Sequence, residues 1–433
     1  MIAIDSSRCA YCGGCVNACP TGALTFHETH LAVDERCTDC GHCLLACPMG
    51  ALSLSPCESR VPTLSRRRYD VAVIGAGPSG SMAAETAARA GLSVLLLEKR
   101  QEIGSPVRCA EGVGHEQLCA LVEPDPRWIA AEVKAAAITV LAGDAEPRGL
   151  RAEGGRGYVL ERRVFDRALA ERAAGAGAEV LVKTAATGFM REEGRLCRVR
   201  LRQADGQQVE VGASLVIAAD GVESQVGRWA GLTGRLPLKD TMVCAQYLLA
   251  GIAIDPTCTA YWISEDIAPG GYAWLFPKGE GRANVGLGVQ ADLWQRRGAP
   301  ATVLGYLDRF VESLPALARG YPVTLIAGNV PVAPLDRLTA DGLMLVGDAA
   351  RQVDPLTGGG IINAMAAGRL AGQVAAEALA AGDTSAAFLA RYAERWQASI
   401  GRKLQRNHRL RMRFAPAERA DQRFLHAFAL AVG

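Results

Sequence analysis

Val71-Ala72-Val73-Ile74-Gly75-Ala76-Gly77-Pro78-Ser79-Gly80 is a short apolar run that ends in three closely spaced glycines. The run predicts a buried strand. The residues from Met82 to Ala90 are good helix formers, and Gly91 stops them. Ser93–Leu97 predicts a second buried strand, which ends on Glu98. A lone Gly-x-Gly-x-x-Gly says little. Set between a strand and a helix, with an acidic residue 18 positions after Gly80, it predicts a dinucleotide-binding βαβ unit. Gly75 allows the tight turn, Gly77 lets the backbone approach a pyrophosphate, and Gly80 lets helix and strand pack closely. The start of the helix then faces the phosphate charge, and Glu98 is placed to accept hydrogen bonds from ribose hydroxyls.

Further along, Arg163–Ala174 reads as a helix and Glu179–Lys183 as a strand. Leu215–Ala219 is a buried strand followed by Asp220-Gly221, and Leu343–Val346 is another that leads to Gly347-Asp348. Between them, TMVCAQYLLAGI, TAYWISED and ANVGLGV predict an antiparallel sheet over residues 240–330. From Gly360 onward the chain reads helical, Ala-rich at first and Arg-rich at the end.

The first 55 residues are built differently. Cys9-Ala-Tyr-Cys12-Gly-Gly-Cys15-Val-Asn-Ala-Cys19-Pro20 recurs 28 positions later as Cys37-Thr-Asp-Cys40-Gly-His-Cys43-Leu-Leu-Ala-Cys47-Pro48. Each block is C-x2-C-x2-C-x3-C-P, the spacing of bacterial ferredoxins with two [4Fe-4S] clusters, in which the fourth cysteine of each block serves the other cluster. This assigns Cys9, Cys12, Cys15 and Cys47 to one cluster and Cys37, Cys40, Cys43 and Cys19 to the other. Structural zinc sites pair two C-x2-C hooks across a longer gap, which this repeat does not resemble. Cys57 lies outside both blocks and reads as a plain thiol. Residues 57–68, rich in Pro, Ser and Arg, read as a linker.

Composition sets the outer bounds. The chain has 433 residues, with 47 Lys and Arg against 45 Asp and Glu. That balance gives no reason to expect a nucleic-acid partner. No apolar run approaches the roughly 18–20 residues that span a bilayer, and the N-terminus lacks a secretory pattern. A cytoplasmic location is expected. Of 14 cysteines, nine precede residue 58, which suggests metal binding more than disulfides.

Leu345-Val-Gly347-Asp348-Ala-Ala350, then Asp354-Pro355-Leu-Thr-Gly358-Gly359-Gly360-Ile361 and a helix, resemble the glutathione-reductase/hydroxylase superfamily of FAD proteins, as does Asp220-Gly221. The resemblance implies that the Asp348 carboxylate binds the ribityl chain, and that the Gly358–Ile361 turn and the following helix face the flavin. The implied FAD site comprises Gly75, Gly77, Gly80, Glu98, Lys99, Arg108, Asp220, Gly221, Asp348, Gly358, Gly359, Gly360 and Ile361. No second Gly-x-Gly-x-x-Gly stands between a strand and a helix. A separate nicotinamide domain is therefore not expected, and electrons are expected from an external low-potential donor through the clusters.

Two further segments carry a narrower resemblance. Pro106-Val-Arg108-Cys109-Ala110-Glu111-Gly112, and Gly271-Tyr272-Ala-Trp274-Leu-Phe276-Pro277-Lys278 followed by Asn284-Val-Gly286-Leu-Gly288, look like the geranylgeranyl reductase family. The family's loop commonly reads Cys-Gly-(Gly/Glu); here it is Cys109-Ala110-Glu111. The resemblance covers about residues 69–400. It implies an FAD-dependent oxidoreductase that reduces isolated C=C bonds in the prenyl chains of a lipid, a prenyl diphosphate, a chlorophyll precursor or a quinone tail. Such an alkene has no carbonyl to polarise it, so it needs a strong reductant and a placed proton donor. Iron–sulfur clusters reach potentials of roughly −400 mV and below. Tyr272, Trp274 and Phe276 alternate along one strand and share a face, where either a prenyl channel or plain sheet core would use them. Cys109, Tyr272 and Trp274 are the candidate catalytic residues. Arg108 and Lys278 are candidates for a phosphate contact, with plain surface charge as the alternative.

The expected fold is thus α/β and α+β. It has a ferredoxin-like domain (1–56), a linker (57–68) and a Rossmann-type FAD-binding domain (69–230 and 327–375) that contributes part of the substrate sheet. An inserted antiparallel-sheet substrate domain (231–326) and a helical C-terminus (376–433) complete it. In the segment from Arg391 to Arg423, Trp396, Ile400, Leu404, Leu410 and Phe414 recur at helical spacing among basic residues. Such a helix suits either peripheral contact with the inner face of the cell membrane or packing on the FAD domain. Three other functions remain open from the residues alone: an electron-transfer flavoprotein–quinone oxidoreductase, a flavin monooxygenase and a pure electron carrier. Fused clusters disfavour the monooxygenase, which takes hydride from a nicotinamide.

Overall fold

The computed structural model describes residues 2–6, 8–26, 31–54, 64–141, 148–192, 195–203, 207–296, 302–413 and residue 428. Cys57, Phe414 and most of the predicted linker lie outside the described residues.

The cysteine repeat is visible in the backbone. Helices Gly14–Ala18 and His42–Ala46 each follow a left-handed glycine, Gly13 (φ 73°) and Gly41 (φ 76°). Tyr11 and Asp39, also 28 apart, share positive φ. Short antiparallel pairs, Ala3–Ile4 with Leu52–Ser53 and Leu24–Phe26 with Leu31–Val33, close the module around Ile2, Leu24, Leu31 and Leu52.

The Gly-rich turn sits where the pattern requires. Strand Arg68–Ile74 pairs in parallel with Val94–Leu97 on one side and with Gln208–Ala218 on the other. Glu179–Leu181 and Leu343–Leu345 extend the parallel sheet, and two antiparallel strands, Arg195–Arg202 and Ala185–Glu192, follow at one edge. The Val71–Ile74 and Leu95–Leu97 side chains are almost wholly buried, as unbroken apolar runs in a sheet covered on both faces must be. Helix Pro78–Arg89 covers one face and crosses helix Ile361–Ala381 at small residues. A Cβ on Gly368 would lie 2.1 Å from the Ser79 carbonyl oxygen, and one on Gly372 would lie 2.7 Å from Thr86 Cβ. Backbones touch there, so neither position admits a side chain.

The second sheet has eight strands, in the order Tyr321–Pro331, Thr241–Ala250, Arg282–Gln290, Tyr272–Pro277, Cys258–Ile263, Ile129–Val140, Arg148–Leu160 and Gly112–Gly114. Five of them come from the stretch predicted to be antiparallel. The remaining three precede it in sequence and join through a parallel pairing of Ile129–Val140 with Cys258–Ile263. Helix Val303–Ser313, which the strand pattern does not foresee, packs Leu307 and Phe310 against Ala273, Leu275 and Val285 on one face of this sheet. The opposite face is left to the cavity between the two sheets.

The C-terminal helices pack inward. Trp396 and Leu404 are buried in the core of the FAD domain, with Ile400 against it, and Leu410 packs near the aromatic face of the second sheet. The apolar stripe from Trp396 to Leu410 therefore rests on protein, as the packing reading expects. No helix among the described residues is long and apolar enough to cross a membrane.

Substituting Gly368→Val should destabilise the protein by about 1–3 kcal/mol through overpacking of the helix crossing. Urea unfolding monitored by circular dichroism measures this.

Candidate active site

A cavity of about 790 Å³ opens between the two sheets. It is walled by Gly77, Gly221, Asp348 and the Gly358–Ile361 turn of the FAD domain and by Tyr272, Trp274 and Phe276 of the second sheet. Each glycine of the fingerprint does what its position predicts. Gly75 has φ 103°, and a Cβ there would meet the Ala219 carbonyl at 2.3 Å. A Cβ on Gly80 would meet the Gly75 carbonyl at 1.8 Å, whereas one on Gly77 would meet nothing within 4 Å. Glu98 receives the Ala76 N–H (3.3 Å) and the Arg100 N–H (2.9 Å) and so holds the turn from the side.

The turns at the far end of the FAD domain are braced from behind. The Gly347 N–H donates to Gln352 Oε1 (2.7 Å), Gln352 Nε2 donates to the Tyr392 hydroxyl (2.8 Å), and that hydroxyl donates to the Leu345 carbonyl (2.9 Å). Buried Asp354 shapes the glycine turn. Its carboxylate accepts from the Leu356 N–H (2.9 Å) and from Asn407 Nδ2 (2.9 Å), and its carbonyl accepts from Gly358 N–H. Helix Ile361–Ala381 begins at Gly360 with no side-chain cap. Its first N–H groups are thus available to an anionic ring. Asp348 lines the cavity, and burial pushes its carboxyl pKa up, with Arg162 opposing.

Two expected cofactor residues are placed differently. The Asp220 carboxylate accepts from the Ser224 hydroxyl (2.7 Å) and from the N–H groups of Gln225 and Val226, so it caps a short helix while Gly221 faces the cavity. Lys99 is exposed and outside the cavity wall, 3.8 Å from Glu223, which Arg108 also approaches at 3.2 Å. Arg108 does line the cavity, at its rim with Arg156 and Lys403.

Lys278 is neither a headgroup contact nor a solvated charge. It is 4% exposed and donates to Glu111 Oε2 (2.8 Å) and the Leu160 carbonyl (2.6 Å), with Glu161 at 3.0 Å. Glu111 is 5% exposed with φ 75°, and it also accepts from Asn284 Nδ2 (2.7 Å) and the Arg162 N–H (2.8 Å). The Cys109–Gly112 loop is thereby fastened to the second sheet.

The three candidate catalytic residues share one wall. Cys109 Sγ accepts from the Glu111 N–H (3.2 Å), and burial pushes its thiol pKa up. Gln246 links two of them: its Oε1 accepts from Trp274 Nε1 (2.9 Å) and its Nε2 donates to the Cys109 carbonyl (3.2 Å). The Tyr272 hydroxyl donates to the Thr357 carbonyl in the glycine turn. Tyr261 packs beside Tyr272 and Phe276, and Phe428 closes the group, with ring centroids 5.8 Å from Tyr261 and 5.2 Å from Tyr272. Sequence inspection missed Gln246, Tyr261, Asp354 and Phe428. Tyr261 lies in the aromatic segment TAYWISED and Asp354 in the motif before the glycine turn, but neither was assigned a role; Gln246 and Phe428 have no local signal.

In the N-terminal module, Cys9, Cys12, Cys15 and Cys47 surround a small cavity of their own, the set expected from spacing. The Tyr11 N–H points to Cys9 Sγ (3.4 Å) and the Ala51 N–H to Cys47 Sγ (3.2 Å), the backbone donors that a thiolate-held cluster requires. Burial pushes the Cys43 thiol up, and the nearby Cys19, Cys40 and Cys37 add to the effect. The Thr21 hydroxyl draws the Cys19 thiol down to about 7. Both sets fit the clusters, and the glycine cradle fits FAD.

Known proteins agree. Residues 240–330 match the geranylgeranyl reductase catalytic domain, 70–246 the FAD dependent oxidoreductase family, and 1–51 the 4Fe-4S dicluster domain. A digeranylgeranylglycerophospholipid reductase of Methanothrix thermoacetophila is 51% identical over 78% of this chain and 86% of that protein. The chain belongs to the geranylgeranyl reductase family. It is an FAD-dependent oxidoreductase that carries two [4Fe-4S] clusters. The reductase of the same name from Methanosarcina acetivorans is 53% identical over 77% of this chain and 81% of its own length. A geranylgeranyl bacteriochlorophyll reductase-like structure from Thermoplasma acidophilum is 43% identical, with a TM-score of 0.75 over 81% of this chain and 88% of that one. A flavin-dependent brominase, 18% identical with a TM-score of 0.67 over 84% of this chain and 94% of its own, shares the fold.

Removing one partner of a buried ion pair costs about 3–5 kcal/mol because the other charge is stranded. Lys278→Met should lower stability by that order in urea titrations, and the loss should be the same whether or not the assayed substrate carries a phosphate.

Proposed function

We propose that the protein reduces isolated C=C bonds in the prenyl chains of a glycerophospholipid, with electrons arriving from an external low-potential donor through the two clusters. The observation that carries this reading is the continuity of the cavity, from the glycine cradle and the Gly358–Ile361 turn into an aromatic wall. A polar substrate gains nothing from Tyr261, Trp274 and Phe276, whereas an isoprenoid chain is desolvated by them. The names of these relatives support a phospholipid over a diphosphate or a quinone tail.

In this reading Cys9, Cys12, Cys15 and Cys47 hold one cluster, and Cys19, Cys37, Cys40 and Cys43 hold the other. Gly75, Gly77, Gly80 and Glu98 hold the adenosine and pyrophosphate side of FAD. Asp348 and the Gly358–Ile361 turn hold the flavin side. When bound and reduced, FAD supplies a hydride to one carbon of the double bond, and the other carbon takes a proton. Cys109 keeps a proton on Sγ because burial disfavours the thiolate. Its loop, pinned by Glu111, presents that thiol in the cavity wall. Tyr272 keeps its phenolic proton for the same reason and directs it to the Thr357 carbonyl, which orients the glycine turn. Trp274, anchored through Gln246, lays an apolar face beside both. Arg108, Arg156 and Lys403 at the rim offer positive charge to a phosphate headgroup, beside Glu153. Contact with a membrane surface is needed only for the substrate to enter.

Dithionite-reduced enzyme mixed anaerobically with a geranylgeranylated phospholipid should reoxidise its flavin while the lipid gains mass in steps of two hydrogens. Reoxidation by a quinone with no change in lipid mass would support an electron-transfer flavoprotein–quinone type of enzyme instead.

Replacing Cys12 and Cys40 together by Ala should abolish turnover with a protein electron donor and leave dithionite-driven turnover in place. Loss of both activities with FAD still bound would contradict entry through the clusters.

A further inference from the structure

The two cysteine blocks are equivalent in sequence but not in setting. Three of the four equivalent pairs share their degree of burial: Cys12 and Cys40 are exposed, Cys15 and Cys43 buried, and Cys19 and Cys47 intermediate. Only the first pair differs, with Cys9 buried and Cys37 intermediate. The FAD domain touches this position. Lys183 Nζ donates to the Cys9 carbonyl at 2.8 Å, across 174 residues of chain.

Lys183 is held firmly for this contact. It occupies the turn between strands Glu179–Leu181 and Ala185–Glu192, in the left-handed region at φ 49°. Its N–H donates to the Arg100 carbonyl (2.8 Å), and the next N–H, of Thr184, donates to the Glu98 carbonyl (2.9 Å). The turn is therefore bonded to the segment that carries the expected ribose-binding carboxylate. The other end of the same edge strand receives the chain as it enters the FAD domain. Glu179 accepts from the Ser65 N–H (2.9 Å) and the Tyr69 hydroxyl (2.6 Å).

We propose that Lys183 docks the ferredoxin module on the FAD domain and raises the reduction potential of the cluster held by Cys9, Cys12, Cys15 and Cys47. Reduction of a [4Fe-4S] cluster adds one electron and one unit of negative charge. A fixed cation at a ligand's carbonyl, half-shielded from water, favours the reduced form. Hydrogen bonds and net charge at this range are among the terms that set cluster potentials. Because the contact falls on one set, the two clusters become unequal, and the set turned toward the FAD domain becomes the easier to reduce. That shift favours electron passage from the Cys37 set to the Cys9 set. The inference rests on the cysteine sets assigned above and not on the identity of the lipid.

The test uses full-length protein with iron, sulfide and FAD contents measured first, so that failed cluster loading is seen as such. EPR-monitored potentiometry of Lys183→Met should show one cluster shifted to more negative potential and the other unmoved. Lys183→Glu should shift the same cluster further, and Lys183→Arg should leave both near wild type. All three substituents are side chains in the same left-handed turn, so backbone strain is constant across the series. Wild-type potentials in fully loaded Lys183→Met and Lys183→Glu, or an equal shift of both clusters, would overturn the proposal.

Discussion

The cavity depends on a buried carboxylate. Glu111 sits in a left-handed conformation at the end of the Cys109 loop, and it is tolerated there because three donors converge on it. Two of them come from the second sheet, Lys278 just past the end of strand Tyr272–Pro277 and Asn284 from the adjacent strand. The third is the N–H of Arg162, at the head of a helix of the FAD domain. A buried ion pair adds little to net stability, since desolvating both charges offsets much of their attraction. What this one does is register. It fixes the loop, and so the Cys109 thiol, relative to both sheets at once.

A second set of supports comes from the end of the chain. Helix Ala386–Trp396 reaches the Gly347 turn through Tyr392 and Gln352, and helix Arg402–Arg413 reaches the glycine turn through Asn407 and Asp354. Arg411, 6% exposed, donates to the Pro355 carbonyl (3.3 Å) and to Gln290 Oε1 (2.9 Å), tying that turn to the second sheet. The basic residues of this tail are thus of two kinds. Some are surface charge, while Arg411 is an interior strut whose five donors match scattered carbonyls that a lysine would not reach.

Those struts mark the boundary of what could be read from the chain. The glycine fingerprint, the cysteine repeat and the alternating Tyr272–Phe276 strand are local patterns. Their meaning depends on spacing along one turn, one helix or one strand, so the FAD sheet, the ferredoxin module and the aromatic wall were all legible. The cavity's polar supports were not. Lys278 read as a phosphate contact or a surface charge because an exposed and a buried lysine are the same letter, and only the distant Glu111 tells them apart. Asp220 looked like a cofactor ligand because its strand-end position suits one, and its carboxylate is taken up by the Ser224 hydroxyl and the N–H groups of Gln225 and Val226 in its own next turn. Gln246 and Phe428 reach the site through contacts across 137 residues and more, where no periodicity connects the partners.

The same burial that hides these groups suits the chemistry proposed here. Along the cavity wall the thiols and phenols are all shifted the same way: burial pushes Cys244 and Tyr261 up to about 12, and it raises Cys109 and Tyr272 above their ordinary values. The wall therefore presents neutral groups that hold their protons throughout the neutral range. An isolated alkene offers no oxygen for a cation or an oxyanion hole to grip, so a charged wall would pay desolvation without return. Reduction then relies on positioning and on a strong reductant. That division matches the chain, in which the aromatic wall of the cavity carries protonated thiols and phenols while the short N-terminal module sets backbone N–H groups against its cysteines.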